Sequence, residues 1–251
     1  MSNLINKAAA VVAVASLAVT LVAAGFAACA ALPQTTELLA NAFSGDGNPD
    51  TPFSHDELVR AAVATRDYTV GSNDREAVFA TLCDINNSAN TRYAEASPDE
   101  LAVAPEQYTL TSDALSHLDD VYRVVAAARI ALAAVALLAV AACAHVAIRV
   151  SRRALGGVLL AAGAVVVAAF ALLAAWVVAD FNGFFAAFHS LFFASGTWTF
   201  SYDSLLITMY PPEFWMGMGT VWLAATGLSS ILAIVVGALL RRRRPARSAR
   251  A

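Results

Sequence analysis

Four histidines, three cysteines and 19 carboxylates are the groups in this 251-residue chain that could move a proton, hold a metal or attack an ester. His117 and His189 stand apart, because each lies near the end of a long apolar run and the two occupy different elements. An imidazole with an ordinary pKa of about 6.5 exchanges protons near neutrality, so a pair that meets can act as general base, general acid or metal ligands. Asp120 follows His117 by three residues and Asp113 precedes it by four. On a helix both spacings fall on a neighbouring part of the same face, where a carboxylate can fix the imidazole tautomer. From these residues alone, a structural or interfacial role for the pair competes evenly with catalysis. His145, at the end of an apolar run, and His55, in the first turn of a polar helix, are accounted for as a polar helix end and a solvated surface residue.

Other chemistries have less support. Ser116 and Ser190 each adjoin a histidine, but sequence neighbours point to different faces of a helix, which disfavours a Ser-His nucleophile pair. Cys29, Cys83 and Cys143 have no metal-ligand spacing, and a Cys29–Cys83 bridge is disfavoured. No metal and no other cofactor is expected.

The elements that must position these groups are membrane helices. With 59% hydrophobic and 14% charged residues, the chain is too apolar for a soluble domain. Four apolar runs, residues 7–31, 124–148, 155–179 and 215–240, account for the excess. Each exceeds the roughly 20 residues that a helix rising about 1.5 Å per residue needs to cross the hydrocarbon core. The expectation is an all-α membrane protein with four transmembrane helices and a mainly helical extracytoplasmic domain between the first and second. Phe26-Ala27-Ala28-Cys29 is close to a lipid-attachment box, but the apolar core before it far exceeds the roughly 7 to 15 residues of a cleaved signal, so the first run reads as an uncleaved anchor.

Orientation follows from charge. Lys7, then Arg149, Arg152 and Arg153, then Arg241 to Arg244, Arg247 and Arg250 occupy three segments that contain no acid. Of the 19 acids, 16 lie between Glu37 and Asp120, and the others are Asp180, Asp203 and Glu213. Basic flanks stay cytoplasmic, so both termini are expected inside the cell membrane. The expected division is residues 1–31 as cytoplasmic N terminus and first span, 32–123 as extracytoplasmic domain, and 124–148 and 155–179 as the second and third spans. Residues 180–214 form an outer interfacial loop, 215–240 the fourth span, and 241–251 a basic cytoplasmic tail. That tail suits membrane lipid headgroups rather than nucleic acid.

Within 32–123 the chain reads as a loop at first: Gly45, Gly47, Asn48, Pro49 and Asp50 crowd turn-formers together, so 41–52 has little to hold a helix. Ser54 to Glu57 reads as a capping box opening a helix to about Tyr68. A further helix is expected over 76–82, and Ser97-Pro98-Asp99-Glu100 opens a short third one. Tyr108-Thr109-Leu110 alternates as a short strand would, and a helix from Ser112 then runs unbroken into the second span. The Phe-rich stretch 181–195 is too short and too interrupted for a fifth span and suits an interfacial segment. Arg129, about one turn into the second span, needs water, a headgroup or an acid such as Asp180.

Two motifs then carry a resemblance. Phe188-His189-Ser190-Leu191-Phe192-Phe193, followed by Trp198, Asp203, Leu206, Ile207, Tyr210-Pro211 and Glu213-Phe214-Trp215, resembles the signature of the lipoprotein intramolecular transacylase (Lit) family of Gram-positive membrane proteins. His117-Leu118-Asp119-Asp120-Val121 resembles its other motif, in the same order and with the same four-span layout. The resemblance implies movement of an acyl chain from the sn-2 position of a lipoprotein's diacylglyceryl-Cys to the α-amine of that Cys. It implies catalytic roles for His117 and His189, and a diacylated lipoprotein and membrane lipid as partners. Asp120, Asp113, Trp198, Asp203, Tyr210 and Arg129 are expected as orienting or substrate-binding residues. The alternatives are a non-catalytic membrane protein recognising an envelope partner, and a metal-dependent membrane hydrolase.

Overall fold

The computed structural model describes residues 2–242, so the basic tail expected at 241–251 lies outside the described residues from 243 onward. Ten helices are described: α1 Ser2–Ala30, α2 Pro33–Phe43, α3 His55–Arg66, α4 Arg75–Ser88, α5 Pro98–Leu101, α6 Ser112–His145, α7 Arg152–Ala179, α8 Phe181–Ser190, α9 Leu205–Met209 and α10 Pro212–Arg241. Short π-helical turns, Asp67–Gly71 and Val146–Val150, extend α3 and α6. Four of these helices are long and apolar enough to cross a membrane, those of α1, α6, α7 and α10. No strand occurs among the described residues, so the strand expected at 108–110 is corrected. A lone extended segment has no neighbouring ladder to bond; instead Leu110 and Thr109 are buried, and the Tyr108 carbonyl accepts the side-chain amide of Asn86 at 2.9 Å.

The chain divides into two compact units. One comprises residues 2–26, 130–175 and 223–242, drawn from the four long helices. Ala13, Ala142, Val146 and Val158 form its buried cluster. Close approach depends on small residues: a Cβ on Gly163 would lie 2.6 Å from the Ser230 carbonyl oxygen, and one on Gly237 would lie 2.6 Å from that of Gly156. Backbone-to-backbone packing through glycine replaces the hydrophobic driving force that apolar surroundings do not supply. Ile130, Leu137, Val140, Leu172 and Leu228 remain exposed, as suits a lipid-facing surface.

The other unit comprises residues 27–129 and 176–222. The loop expected over 41–52 is present from 44 onward, and α2 precedes it as a helix that the sequence reading did not name: Pro33 occupies its first turn, Leu39 and Ala40 are buried, and the turn-formers begin only after its end. Gly45 and Gly47 then take φ of +88° and +80°, which other residues adopt at a cost. At the start of α3 the Glu57 carboxylate accepts the Ser54 backbone N–H at 2.7 Å and its hydroxyl at 2.8 Å. α4 extends beyond the expected 76–82 in both directions, its first turn capped by Asp74, which accepts the Ala77 N–H at 3.1 Å. Leu58, Leu82, Ile85, Leu101, Leu110 and Leu118 build the core together with Leu205, Met209 and Phe214.

Polar bonds tie the two chain segments of this unit. Ser44 Oγ donates to the Met209 carbonyl at 2.8 Å, Asn48 Nδ2 to Thr208 Oγ1 at 2.7 Å, and the Leu205 N–H to the Glu106 carbonyl at 2.8 Å. α8 begins at Asp180, whose carboxylate accepts the Gly183 N–H at 2.8 Å. A Cβ on Gly183 would fall 1.9 Å from Asp180 Oδ2, so a larger residue there would have to displace the capping carboxylate from this position. Ten residues of helix span about 15 Å, half of what a crossing needs.

Candidate active site

His117 rides on α6 seven residues, about 10 Å, before the apolar run at 124–148 begins. Thr111 Oγ1 accepts the Ala114 N–H at 3.3 Å and fixes where α6 starts. Leu115 and Leu118 anchor it in the core, and the intervening His117 is itself only 8% exposed. His189 lies in the last turn of α8, a position set by the Asp180 cap at the other end of that helix.

The two imidazoles come together. Their ring centroids are 6.2 Å apart with an interplanar angle of 29°. Aromatic rings enclose them: Phe193 and Phe200 lie 4.9 and 5.7 Å from His117, and Phe185 and Trp198 lie 4.0 and 4.8 Å from His189. Nδ1 of His189 is 2.9 Å from the Phe185 carbonyl oxygen, and a carbonyl only accepts. Nδ1 therefore carries the proton in the neutral ring, which leaves the lone pair on Nε2. Nδ1 of His117 is buried without a hydrogen-bond partner, as is Nε1 of Trp198.

Burial determines the electrostatics. It depresses the pKa of His117 to about 4, with the nearby His189 adding to the effect and Asp120 opposing it. Burial also lowers that of His189, against the bond to the Phe185 carbonyl, which favours the charged ring. Both imidazoles are thus neutral near pH 7.

The other expected residues are placed as follows. Asp120 lies close enough to His117 to act on its charge, while its carboxylate accepts Arg123 Nη1 at 2.7 Å. Asp113 is exposed. Asp203 accepts Gln107 Nε2 at 2.8 Å in an exposed bond. Tyr210 is buried, its hydroxyl donating to the Ala62 carbonyl, its ring 5.7 Å from that of Trp215. Arg129 donates to the Val70 carbonyl, whereas Asp180 serves α8. Trp198 is the one among these whose ring packs on a histidine. Ser190 Oγ donates to the Ala187 carbonyl at 2.7 Å. None of Cys29, Cys83 and Cys143 is in a disulfide, and Cys29 Sγ donates to the Met218 carbonyl at 3.4 Å. Among the described residues no group of three or more His, Cys, Asp or Glu side chains could hold a metal ion.

Sequence reasoning missed a clamp behind His117. The Tyr68 hydroxyl donates to Asp119 Oδ1 at 2.5 Å, and Asn73 Nδ2 reaches the same oxygen at 3.3 Å. Asp119 belongs to the motif around His117, and Tyr68 ends the predicted helix from Ser54, but nothing in their spacing announces that they meet. The box formed by Phe185, Phe193 and Phe200 was likewise legible only as aromatic content.

The sequence matches the family model of lipoprotein intramolecular transacylase Lit over residues 73–215, more than half of the chain. The fold is similar to a solved structure of the membrane integral lipoprotein intramolecular transacylase Lit from Bacillus cereus, at a TM-score of 0.70 and 16% identity, covering 95% of this chain and 96% of that one. Two histidine-substituted forms of the Bacillus cereus protein match at a TM-score of 0.62 and 16% identity; the match covers 95% of this chain in each case, and 92% and 94% of theirs. No curated protein sequence matches. Four long apolar helices, paired imidazoles carried by both signature motifs, and the match over 73–215 lead to one conclusion: the chain is a multi-pass membrane protein of the lipoprotein intramolecular transacylase (Lit) family.

Proposed function

We propose that this protein moves the sn-2 acyl chain of a lipoprotein's diacylglyceryl-Cys to the α-amine of the same Cys, with His117 and His189 as the catalytic residues. The observation that carries this reading is the pair of neutral, aromatic-walled imidazoles 6.2 Å apart, on two elements far separated in the sequence. An α-amine has an ordinary pKa of about 8, so it must shed a proton before it can attack. Water takes that first proton, and the neutral Nε2 of His189 is a suitable acceptor for the second, which the nitrogen sheds as it adds, since its Nδ1 is committed to the Phe185 carbonyl.

The amine nitrogen adds to the ester carbonyl carbon, and the C=O pair moves onto oxygen. When it returns, the bond from that carbon to the glycerol oxygen breaks. His189, now an imidazolium, gives its proton to the departing oxygen, so the amine has lost one hydrogen and the glycerol has gained one. His117, held neutral by burial, supplies an N–H hydrogen bond to the glycerol oxygen as negative charge grows there. Donor and acceptor belong to one substrate, so holding them in contact lowers the barrier by several kcal/mol without a Ser or Cys nucleophile.

Orientation completes the proposal. The acid-free segments around Lys7, Arg149 to Arg153 and Arg241 onward support a cytoplasmic location for both termini. The segments carrying His117 and His189 then emerge on the outer side, where mature lipoproteins present their acylated Cys. Asp203, Tyr210 and Arg129 are assigned to holding the segments around the site through their bonds to Gln107, Ala62 and Val70, and Asp120 to the charge felt by His117, while Asp113 stands exposed in the first turn of α6. Expression in a lipoprotein-processing host tests the reading, through mass spectrometry of a reporter's N-terminal peptide. The expected product is a lyso-form with an amide-linked chain; a reporter that keeps its free amine and both esters, with the protein folded and present, rejects it.

A further inference from the structure

Two buried atoms beside the paired imidazoles have no hydrogen-bond partner, Nδ1 of His117 and Nε1 of Trp198. The first belongs to a residue already assigned to the reaction, whereas the second has no use there. An indole N–H can only donate. Buried donors in native structures are nearly always paired, so an orphan of this kind calls for a reason. Trp198 lies in the loop between α8 and α9, its ring 4.8 Å from His189 and 6.3 Å from Phe185. That ring contact alone would be satisfied by phenylalanine; the N–H is what packing leaves unexplained.

We propose that the Trp198 indole N–H is a catalytic hydrogen-bond donor to the carbonyl oxygen of the ester under attack. The inference rests on the transacylase reading and deepens it by naming the group that meets the oxyanion. As the amine adds to the carbonyl carbon, an electron pair moves onto the carbonyl oxygen, and the oxygen turns from a modest acceptor into a strong one. Trp198 donates to it throughout and its proton is never transferred. When the pair returns and the bond to the glycerol oxygen breaks, the product amide oxygen is again a modest acceptor. A donor fixed in advance within an aromatic enclosure acts where water does not compete, and needs no reorganisation as charge develops. His117 attends to the departing oxygen and Trp198 to the carbonyl oxygen, so the two orphaned atoms have separate partners in the transition state.

An unpaired buried donor is a cost to the folded protein in the absence of substrate, and this gives the proposal a signature that packing would not. Replacing the N–H by an apolar group of the same shape leaves stability unchanged or raises it, while turnover falls. The test uses the full-length protein in lipid nanodiscs with a synthetic diacylglyceryl-Cys peptide, followed by mass spectrometry and thermal unfolding. Wild type is compared with Trp198→Phe and with a protein carrying 3-benzothienylalanine at position 198, in which sulfur replaces the N–H.

The expected result is a fall in kcat of about 10²- to 10³-fold for the isostere, with KM nearly unchanged and a melting temperature at or above wild type. Should Trp198→Phe fail to fold, the isostere decides. An isostere that retains kcat within about twofold of an active wild type overturns this assignment and leaves the transacylase reading standing. Parallel losses of melting temperature and activity overturn it in favour of packing. A folded wild type that leaves the peptide unchanged removes both.

Discussion

Tyr68→Phe removes one hydroxyl from the clamp that holds α6 where it presents His117. Tyr68 is 4% exposed and donates to Asp119 Oδ1 at 2.5 Å; Asp119 follows His117 by two residues. A hydrogen bond to a charged group contributes about 1.5–3 kcal/mol. Asn73, held at φ +56°, still reaches the same oxygen at 3.3 Å, which places the loss near the lower end, about 1.5–2 kcal/mol. The ring remains, so no cavity opens to add to it. The remaining freedom of α6 should cost roughly tenfold in kcat with KM unchanged, because misplacement of a catalytic group by about 1 Å can cost a hundredfold.

Burial first, and the bond to Asp119 second, push the Tyr68 pKa up to about 12. A raised pKa means that the contribution is fully present below the ordinary value near 10 and is lost as pH rises toward 12. The difference between wild type and variant should therefore be constant from pH 6 to 9. Denaturant unfolding in detergent, paired with mass-spectrometric turnover of a lipopeptide, measures both effects. A variant that unfolds within about 0.3 kcal/mol of wild type and keeps its kcat refutes the clamp.

Three other outcomes are expected. Because His117 titrates near 4 when folded and near 6.5 when unfolded, acid protonates the unfolded chain first, and stability should fall as pH drops from about 6.5 toward 4; His117→Gln should flatten that fall in an unfolding series between pH 7 and 5. His117→Ala and His189→Ala should each lower turnover by at least about 10²-fold, with the wild-type rate resistant to a chelator; rapid loss with chelator would favour a metal-dependent hydrolase. Gly163→Leu should destabilise by about 1–3 kcal/mol or more, since its Cβ alone would meet the Ser230 carbonyl oxygen at 2.6 Å; melting in detergent reads this, and an unchanged melting temperature would contradict the close packing.

The membrane helices were legible because their signal is one of length and composition, which tertiary contacts do not override. α1, α6, α7 and α10 follow from it, as does the continuity of α6 from Ser112, where no breaker intervenes. The pair His117 and His189 was legible through the two motifs. α2 was not, because Gly45 to Asp50 dominate the local reading while Leu39 and Ala40 act by packing on residues far along the chain. The strand expected at 108–110 failed because an alternating triplet means nothing without a neighbouring ladder. Tyr68 to Asp119 and Trp198 to His189 are long-range meetings between side chains whose types have many uses, so only geometry distinguishes them.

The most direct measurement of intramolecular transfer uses a synthetic diacylglyceryl-Cys peptide with a ¹³C-labelled sn-2 chain, incubated with the purified protein in nanodiscs without any added acyl donor. The expected result is the label on the α-nitrogen as an amide, a free sn-2 hydroxyl, and no label exchanged with an unlabelled peptide of different mass in the same reaction. Release of the label as free fatty acid, or its appearance on the second peptide, would contradict transfer within one molecule at His117 and His189.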